Sequence, residues 1–212
     1  MNIGIIGTGR MGGTLGRLWG EAGHAVRLGS REPEKGGRLG ASLGAGVSIG
    51  TVAEAAAFGD VIVLCTPWEA TAAALEASGP LAGKIVIDVT NPLKPDGTGL
   101  AIGHTTSGGE LIAKSLPEAR VVKAFNSVYW ENLDARRFSS PKPSLFYCGD
   151  DPAAKSVVAR LGAELGFDPI DAGPLAIARF LEPMACLWMQ LANSSGLGPH
   201  FTFAVARADC KS

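Results

Sequence analysis

Asn2-Ile3-Gly4-Ile5-Ile6-Gly7-Thr8-Gly9-Arg10-Met11-Gly12 is the stretch on which the reading of this chain turns. Asn2–Ile6 is a short apolar run suited to a buried strand, and a helical pattern follows from about Met11 to Ala22. Between them Gly7, Gly9 and Gly12 fall at G-x-G-x-x-G spacing. In a chain with 29 glycines the spacing alone says little, but its place between strand and helix gives it meaning. Gly7 permits a tight turn, Gly9 lets a pyrophosphate approach the backbone, and Gly12 lets the helix pack close to the strand. The helix N-terminus adds unpaired N–H groups and partial positive charge, with the side-chain donors of Thr8 and Arg10 beside them. The competing reading is a glycine-rich turn that binds nothing.

Working outward, Ala25–Leu28 reads as a second strand, followed by a glycine-rich, helical stretch around Gly36–Gly50. Val61–Cys65, Ile85–Val89, Val121–Ala124 and Leu145–Cys148 are continuous apolar runs, the mark of parallel strands covered on both faces. The expected fold is therefore α/β, a Rossmann-type doubly wound and mostly parallel sheet. Ser107 with Glu110 has capping-box spacing, and Asp151 before Pro152 places an N-cap beside a proline at the first helical position. Beyond Gly173 the pattern changes. Ile177, Phe180, Leu181, Met184, Trp188 and Leu191 recur at helical spacing, so a short C-terminal helical extension is expected over 174–212. It is read as integral to the dinucleotide-binding domain of 1–173, packed on the sheet's carboxyl edge or on another subunit. Pro183 either kinks that helix or starts a second one.

Composition narrows the class. The 212 residues carry 19 Lys+Arg against 20 Asp+Glu, a formal charge of -1, which provides no footprint for nucleic acid or an anionic membrane. Four scattered cysteines without CxxC pairing suit a reducing compartment, and no metal site is expected. No basic leader precedes the first strand, and no apolar run was counted at the roughly 18 residues a bilayer requires. A cytoplasmic protein without a membrane partner is the expectation.

An NAD-selective site places a carboxylate at the tip of the second strand, about 20 residues after the glycines. Here the strand ends Leu28-Gly29-Ser30-Arg31, with Lys35 shortly after. A hydroxyl, a guanidinium and an ammonium suit a 2′-phosphate, so NADP(H) is the expected cofactor. The alternatives are that Ser30 caps the following helix and that Arg31 and Lys35 are solvated charges. Glu32 competes as a ribose ligand but lies beyond the strand tip.

Ligands of such sheets lie outside the strands' carboxyl ends. The residues leaving the later strands are Cys65-Thr66-Pro67-Trp68, Thr90-Asn91-Pro92-Leu93 and Phe125-Asn126-Ser127-Val128-Tyr129-Trp130. Asn91 and Asn126 are candidates to hydrogen-bond a carboxamide, and Trp68, Tyr129 and Trp130 to cover a planar ring. Equally, the asparagines fit bonds to their own turns, and the tryptophans fit core or interface. His24, His104 and His200 are isolated, Asp150-Asp151 reads as a strand-end turn and cap, and no catalytic dyad stands out. Hydride transfer between two aligned rings needs little acid–base help.

These blocks together resemble the NADPH-dependent reductases of the deazaflavin coenzyme F420 and the wider group of dinucleotide-binding reductases around them. The resemblance rests on GTGRMG at Gly7–Gly12, LGSRE at Leu28–Glu32, TPWE at Thr66–Glu69, CGDDPAAKSVV at Cys148–Val158, DAGPL at Asp171–Leu175 and ARFLEPMACLW at Ala178–Trp188. It implies that Thr8, Arg10, Met11, Ser30, Arg31 and Lys35 take NADP, and that Cys65 to Trp68 and Ala124 run along the ribose and nicotinamide. It further implies a C-terminal part that closes the hydride-transfer cleft, a homodimer, and deazaflavin F420 or a flavin as the second redox ring. The chain also resembles the cytosolic domain of membrane ferric reductases. Thr90-Asn91-Pro92 and bulky Tyr129-Trp130 depart from the deazaflavin reductases at the second ring's place. The expectation is an NADP-dependent oxidoreductase acting on a small planar acceptor. An NADPH-binding or sensing protein without turnover and a small imino or hydroxy acid dehydrogenase are the other readings.

Overall fold

A computed structural model describes residues 1–36 and 43–208, the side chains of Lys35 and Gly36 excepted. Eight strands form one sheet: β1 (Asn2–Ile6), β2 (Ala25–Ser30), β3 (Val47–Thr51), β4 (Val61–Leu64), β5 (Ile85–Asp88), β6 (Arg120–Ala124), β7 (Ser144–Gly149) and β8 (Asp168–Asp171). Their order is β3-β2-β1-β4-β5-β6-β7-β8. The first six run parallel; β7 is antiparallel to β6, and β8 runs parallel to β7. The chain thus reverses direction across the sheet at β1/β4, which opens a crevice at the carboxyl ends of those strands.

The helices are α1 (Arg10–Glu21), α2 (Val52–Phe58), α3 (Trp68–Ser78), α4 (Gly108–Ser115), α5 (Pro152–Glu164) and α6 (Ala178–Ser194). Strand alternation splits the core into two buried clusters. Ile3, Ile5, Leu28, Val63, Ile87 and Val122 meet Leu15, Trp19 and Leu161 from α1 and α5. Ile6, Ile62, Leu64, Val86 and Val121 meet Val52, Ile112 and Leu181 from α2, α4 and α6. The buried Trp19 indole donates to the Leu161 carbonyl at 3.2 Å and so ties α1 to α5. The expected caps form: Ser107 Oγ accepts from Glu110 N, and Asp151 Oδ1 from Ala154 N at 2.6 Å.

Two strands escaped the sequence reading, and both are at sheet edges. Val47–Thr51 lies in the stretch read as helical, and it buries only Gly50. Asp168–Asp171 buries none of its four residues and contains Pro169, which an edge strand tolerates. An edge strand lacks the continuous apolar run of a central one, so its signal is weak. Pro183 neither ends α6 nor begins a second helix: α6 runs through it as one helix. Against the expectation of no apolar run of spanning length, the 175–194 stretch is, by length and composition only, apolar enough to pass for a membrane span. Yet it carries the fully buried Glu182 and packs Leu181 and Trp188 inward, as a helix covering a sheet does.

Candidate active site

The start of α1 has the form of an anion seat. Gly7 takes φ +117°, a conformation that L side chains rarely adopt, and a Cβ on Gly12 would collide with the Gly7 carbonyl. Above Gly9 the space is open, with no protein atom within 4 Å of where a Cβ would stand. No side chain caps this helix and no acid occupies its first turn. Its terminal N–H groups are left to a ligand or to water.

Three hollows run in series along the carboxyl edge. The first, about 910 Å³, is lined by Gly7, Thr8, Gly9, Ser30, Arg31 and Pro67, among others. Through Cys65, Thr66 and Pro67 it joins a second of about 430 Å³, which Met11, Trp68, Thr90, Asn91 and Asn126 also wall. Met11, Asn91 and Asn126 then border a third of about 320 Å³, completed by Arg10, Tyr129, Trp130, Trp188 and Met189. One trough therefore leads from the tip of β2 to an aromatic end beyond β6.

At the first end Arg31 is exposed and lines the hollow. Ser30 Oγ accepts from Glu32 N at 3.1 Å, so it caps its own turn; the hydroxyl hydrogen is still free to donate. Lys35 has its backbone in a short 3₁₀ turn, but its side chain lies outside the described atoms. In the middle, Asn91 and Asn126 bond one another across the strand ends. Asn91 Nδ2 donates to the Asn126 carbonyl at 2.8 Å. Asn126 Nδ2 donates to Asn91 Oδ1 at 3.0 Å and to the Leu181 carbonyl at 2.8 Å. That leaves Asn126 Oδ1 buried and without a partner. A buried carbonyl-type oxygen left unpaired costs about 1–3 kcal/mol unless a ligand donates to it.

The third hollow is built from distant segments. Tyr129 stacks on Trp188 with centroids 5.2 Å apart, and Trp188 on Phe201 at 5.4 Å. Trp188 Nε1 donates to the Phe201 carbonyl at 3.0 Å, and Asn132 Nδ2 to those of Pro199 and Phe201. The Arg10 guanidinium stands 5.5 Å from the centre of the Trp130 ring, linking the phosphate turn to the aromatic end. The sequence marks Tyr129 and Trp130, with Val128 in the same loop, whereas Trp188 reads there as a packing residue and Ala185 and Met189 carry no signal. Trp188 at helical spacing was the available signal; only the fold shows which way that face looks.

Other expectations land differently. Ala124 is wholly buried in the core and lines none of these hollows, because its side chain faces the α1 and α5 layer rather than the crevice. Trp68 begins α3 rather than sitting in a loop, and a Cβ on Gly108 of α4 would stand 3.0 Å from its ring. Cys65 borders the trough, but burial pushes its thiol far above the ordinary range, so it offers no thiolate nucleophile. Burial likewise raises Cys148, to about 12. His24 sits at the opposite edge, with Nε2 2.7 Å from Glu164. Among the described residues no group of three His, Cys, Asp or Glu is placed to hold a metal ion.

Comparison with known proteins agrees with this geometry. The family model described as "NADP oxidoreductase coenzyme F420-dependent" matches residues 2–92. The F420-dependent NADP reductase of Methanothermobacter thermautotrophicus is 30% identical over 208 residues, covering 90% of this chain and 89% of that one. Metalloreductase STEAP3 of Rattus norvegicus is 32% identical over 85% of this chain, which spans only 35% of that protein's length. The crystal structure of a proposed F420-dependent NADP-reductase from Arthrobacter sp. FB24 superimposes with a TM-score of 0.90 at 34% identity, covering 98% of this chain and all of that one. A reductase 30% identical and matched over 89% of its length, together with a solved structure of the same fold, places the chain in the family of F420-dependent NADP oxidoreductases.

Proposed function

We propose that the trough holds NADP(H) along its length and that the aromatic hollow receives a planar redox ring, a deazaflavin or a flavin. In this reading Arg31 and Ser30 take the 2′-phosphate. The pyrophosphate lies on Gly7–Gly12, with Thr8, Arg10 and the N–H groups at the start of α1 as donors. Cys65, Thr66, Pro67 and Trp68 flank the nicotinamide ribose, and Asn126 Oδ1 accepts from the carboxamide while Asn91 holds Asn126 in place. The observation that carries the reading is the series of hollows that share lining residues, with Asn126, whose buried Oδ1 lacks a partner, lining the middle one.

NADPH, when bound, supplies the hydride. The chain's part is to hold two flat groups face to face and keep water out. Met11, Asn91 and Asn126 wall both the second and third hollows, so they set the separation of the two rings. Tyr129, Trp130 and Trp188 provide apolar flat surface, and Arg10 places a positive charge beside the ring that gains charge.

A homodimer in a cytoplasmic setting belongs to the same reading. Phe180 (69% exposed) and Leu187 (51%) give α6 an apolar outer face suited to a second copy, which sedimentation velocity would detect. The function itself is tested by steady-state oxidation of NADPH with F420, FMN and a soluble quinone, each against NADH. Turnover with a ring acceptor and a clear preference for NADPH is the expected result. Tight NADPH binding with no hydride passed to any of them would leave a nucleotide-binding protein without turnover.

A further inference from the structure

Beneath the second hollow lies a charged cluster that the proposed function does not use. Lys123 of β6 has no exposed surface. Its Nζ stands 2.8 Å from Asp88 Oδ2, 2.9 Å from Glu182 Oε1 and 2.6 Å from the Thr90 carbonyl. Glu182 also accepts from the N–H groups of Gly108 and Gly109 at 3.0 and 3.1 Å, so it caps α4. Asp88 Oδ1 accepts from the N–H and hydroxyl of Thr90 at 2.9 and 2.7 Å. Burial pulls the Lys123 ammonium down, but the two carboxylates together outweigh it and hold the group charged. Three ionised groups without exposure are a costly way to gain stability, since apolar side chains of similar volume commonly do as well. What the cluster provides is registry, joining β5, β6, α4 and α6 at one point.

That registry reaches Asn126 by two routes. Leu181, next to Glu182, offers the carbonyl to which Asn126 Nδ2 donates. Thr90, bound by the cluster through its carbonyl, N–H and hydroxyl, precedes Asn91, whose amide exchanges two bonds with Asn126. Phe125, immediately before Asn126, takes φ +62°, which a large aromatic residue rarely adopts. It is clamped there by edge-on contacts with Trp19 and Phe167, at 5.8 and 6.3 Å between ring centres. Strain of this kind persists where surrounding structure over-determines it, and it gathers at working sites.

We propose that Asp88, Lys123 and Glu182 are positioning residues that hold the Asn126 amide at the wall of the trough, and so set the seat of the nicotinamide without touching it. The proposal rests on the reading of the trough as an NADP(H) site. Glu182→Gln and the charge-retaining Glu182→Asp test it, with two ligands and one spectrum. 2′,5′-ADP carries the adenine half alone, and its affinity is expected to stay within about twofold of the native value. NADPH affinity is expected to fall about fivefold or more, the scale of one lost hydrogen bond. The emission of bound NADPH should move back toward that of the free nucleotide.

A purely structural role would weaken both ligands in proportion and leave the bound emission native; that result overturns the proposal. Should Glu182→Gln fail to fold, Glu182→Asp decides alone by the same comparison. Combining the Glu182 variant with Asn126→Ala is expected to weaken NADPH no further than Asn126→Ala does, because one route serves both; additive losses would also overturn it. Failure of the native protein to bind 2′,5′-ADP at all would instead strike the site reading, and the proposal with it.

Discussion

At the β2 end of the trough, Arg31, Ser30 and the uncapped start of α1 present charge and backbone dipoles to an open hollow. At the β6 end, two asparagines, two tryptophans, a tyrosine and a methionine from α6 form a smaller, largely apolar wall. The first end is local: its groups come from within about one βαβ unit, and its donors are mostly backbone. The second draws on β5, β6, α6 and the segment reaching Phe201. An anion is recognised by charge and by glycine turns, which the chain can place over a short span. A flat ring is recognised by shape, which needs side chains brought together from afar.

The glycine turn gives the sharpest way to break this contrast. Gly9→Ala has open space for its methyl group and an ordinary backbone angle, so thermal stability should hold. The methyl group would stand in the space proposed for the pyrophosphate, and NADPH and NADH should both lose about 2–3 kcal/mol of binding or more. Unchanged affinity by calorimetry would remove the phosphate from this turn. Gly12→Ala should differ, costing about 1–3 kcal/mol in chemical denaturation because its Cβ meets the Gly7 carbonyl.

Arg31→Ala isolates the β2 end. It should weaken NADPH by about 1.5–3 kcal/mol and leave NADH nearly unchanged, as loss of a charge-assisted bond to a 2′-phosphate requires. Equal losses for both nucleotides would contradict that assignment. Asn126→Ala addresses the other end and should cost NADPH about 1 kcal/mol while sparing 2′,5′-ADP. A variant in which both ligands weaken equally would return Asn126 to a structural role.

The smallest expected effect is on pH. Glu110 of α4 is held below the ordinary carboxylate range, chiefly by hydrogen bonds from Arg179 of α6 at 2.6 and 2.9 Å. A depressed folded pKa contributes stability above the unfolded value, near 4.5, that is lost as pH falls through the folded one. Arg179→Ala should therefore lower the melting temperature slightly at neutral pH, where the contribution is present, and converge on the native protein as pH falls below about 4.5, so that its acid limb is flatter. An unchanged acid limb would show that this clasp does not hold α4 to α6.

Much of this was legible beforehand. Continuous runs such as Val61–Leu64 and Ile85–Asp88 announced buried parallel strands, and the glycines between Ile6 and α1 announced the anion seat. The edge strands Val47–Thr51 and Asp168–Asp171 were not legible, since half-exposed edges lack a strong pattern. The family resemblance sets Ala124 along the ribose and nicotinamide, whereas the pleat turns its side chain into the core. Residue order cannot show that Lys123, Asp88 and Glu182 meet, because a lone lysine inside VVKA has no local pattern to mark its partners.

By itself the sequence determined the sheet's central strands, the glycine turn that opens α1 and the cationic tip of β2. These depend on residues close together in the chain, where short-range sterics and periodicity act. Only the tertiary structure decided that Trp188 stacks on Tyr129, that Asn126 bonds Leu181, and that Glu182 reaches Lys123. Those meetings join residues some 55 to 60 positions apart, and they exist only once the sheet has brought α6 back over its carboxyl edge.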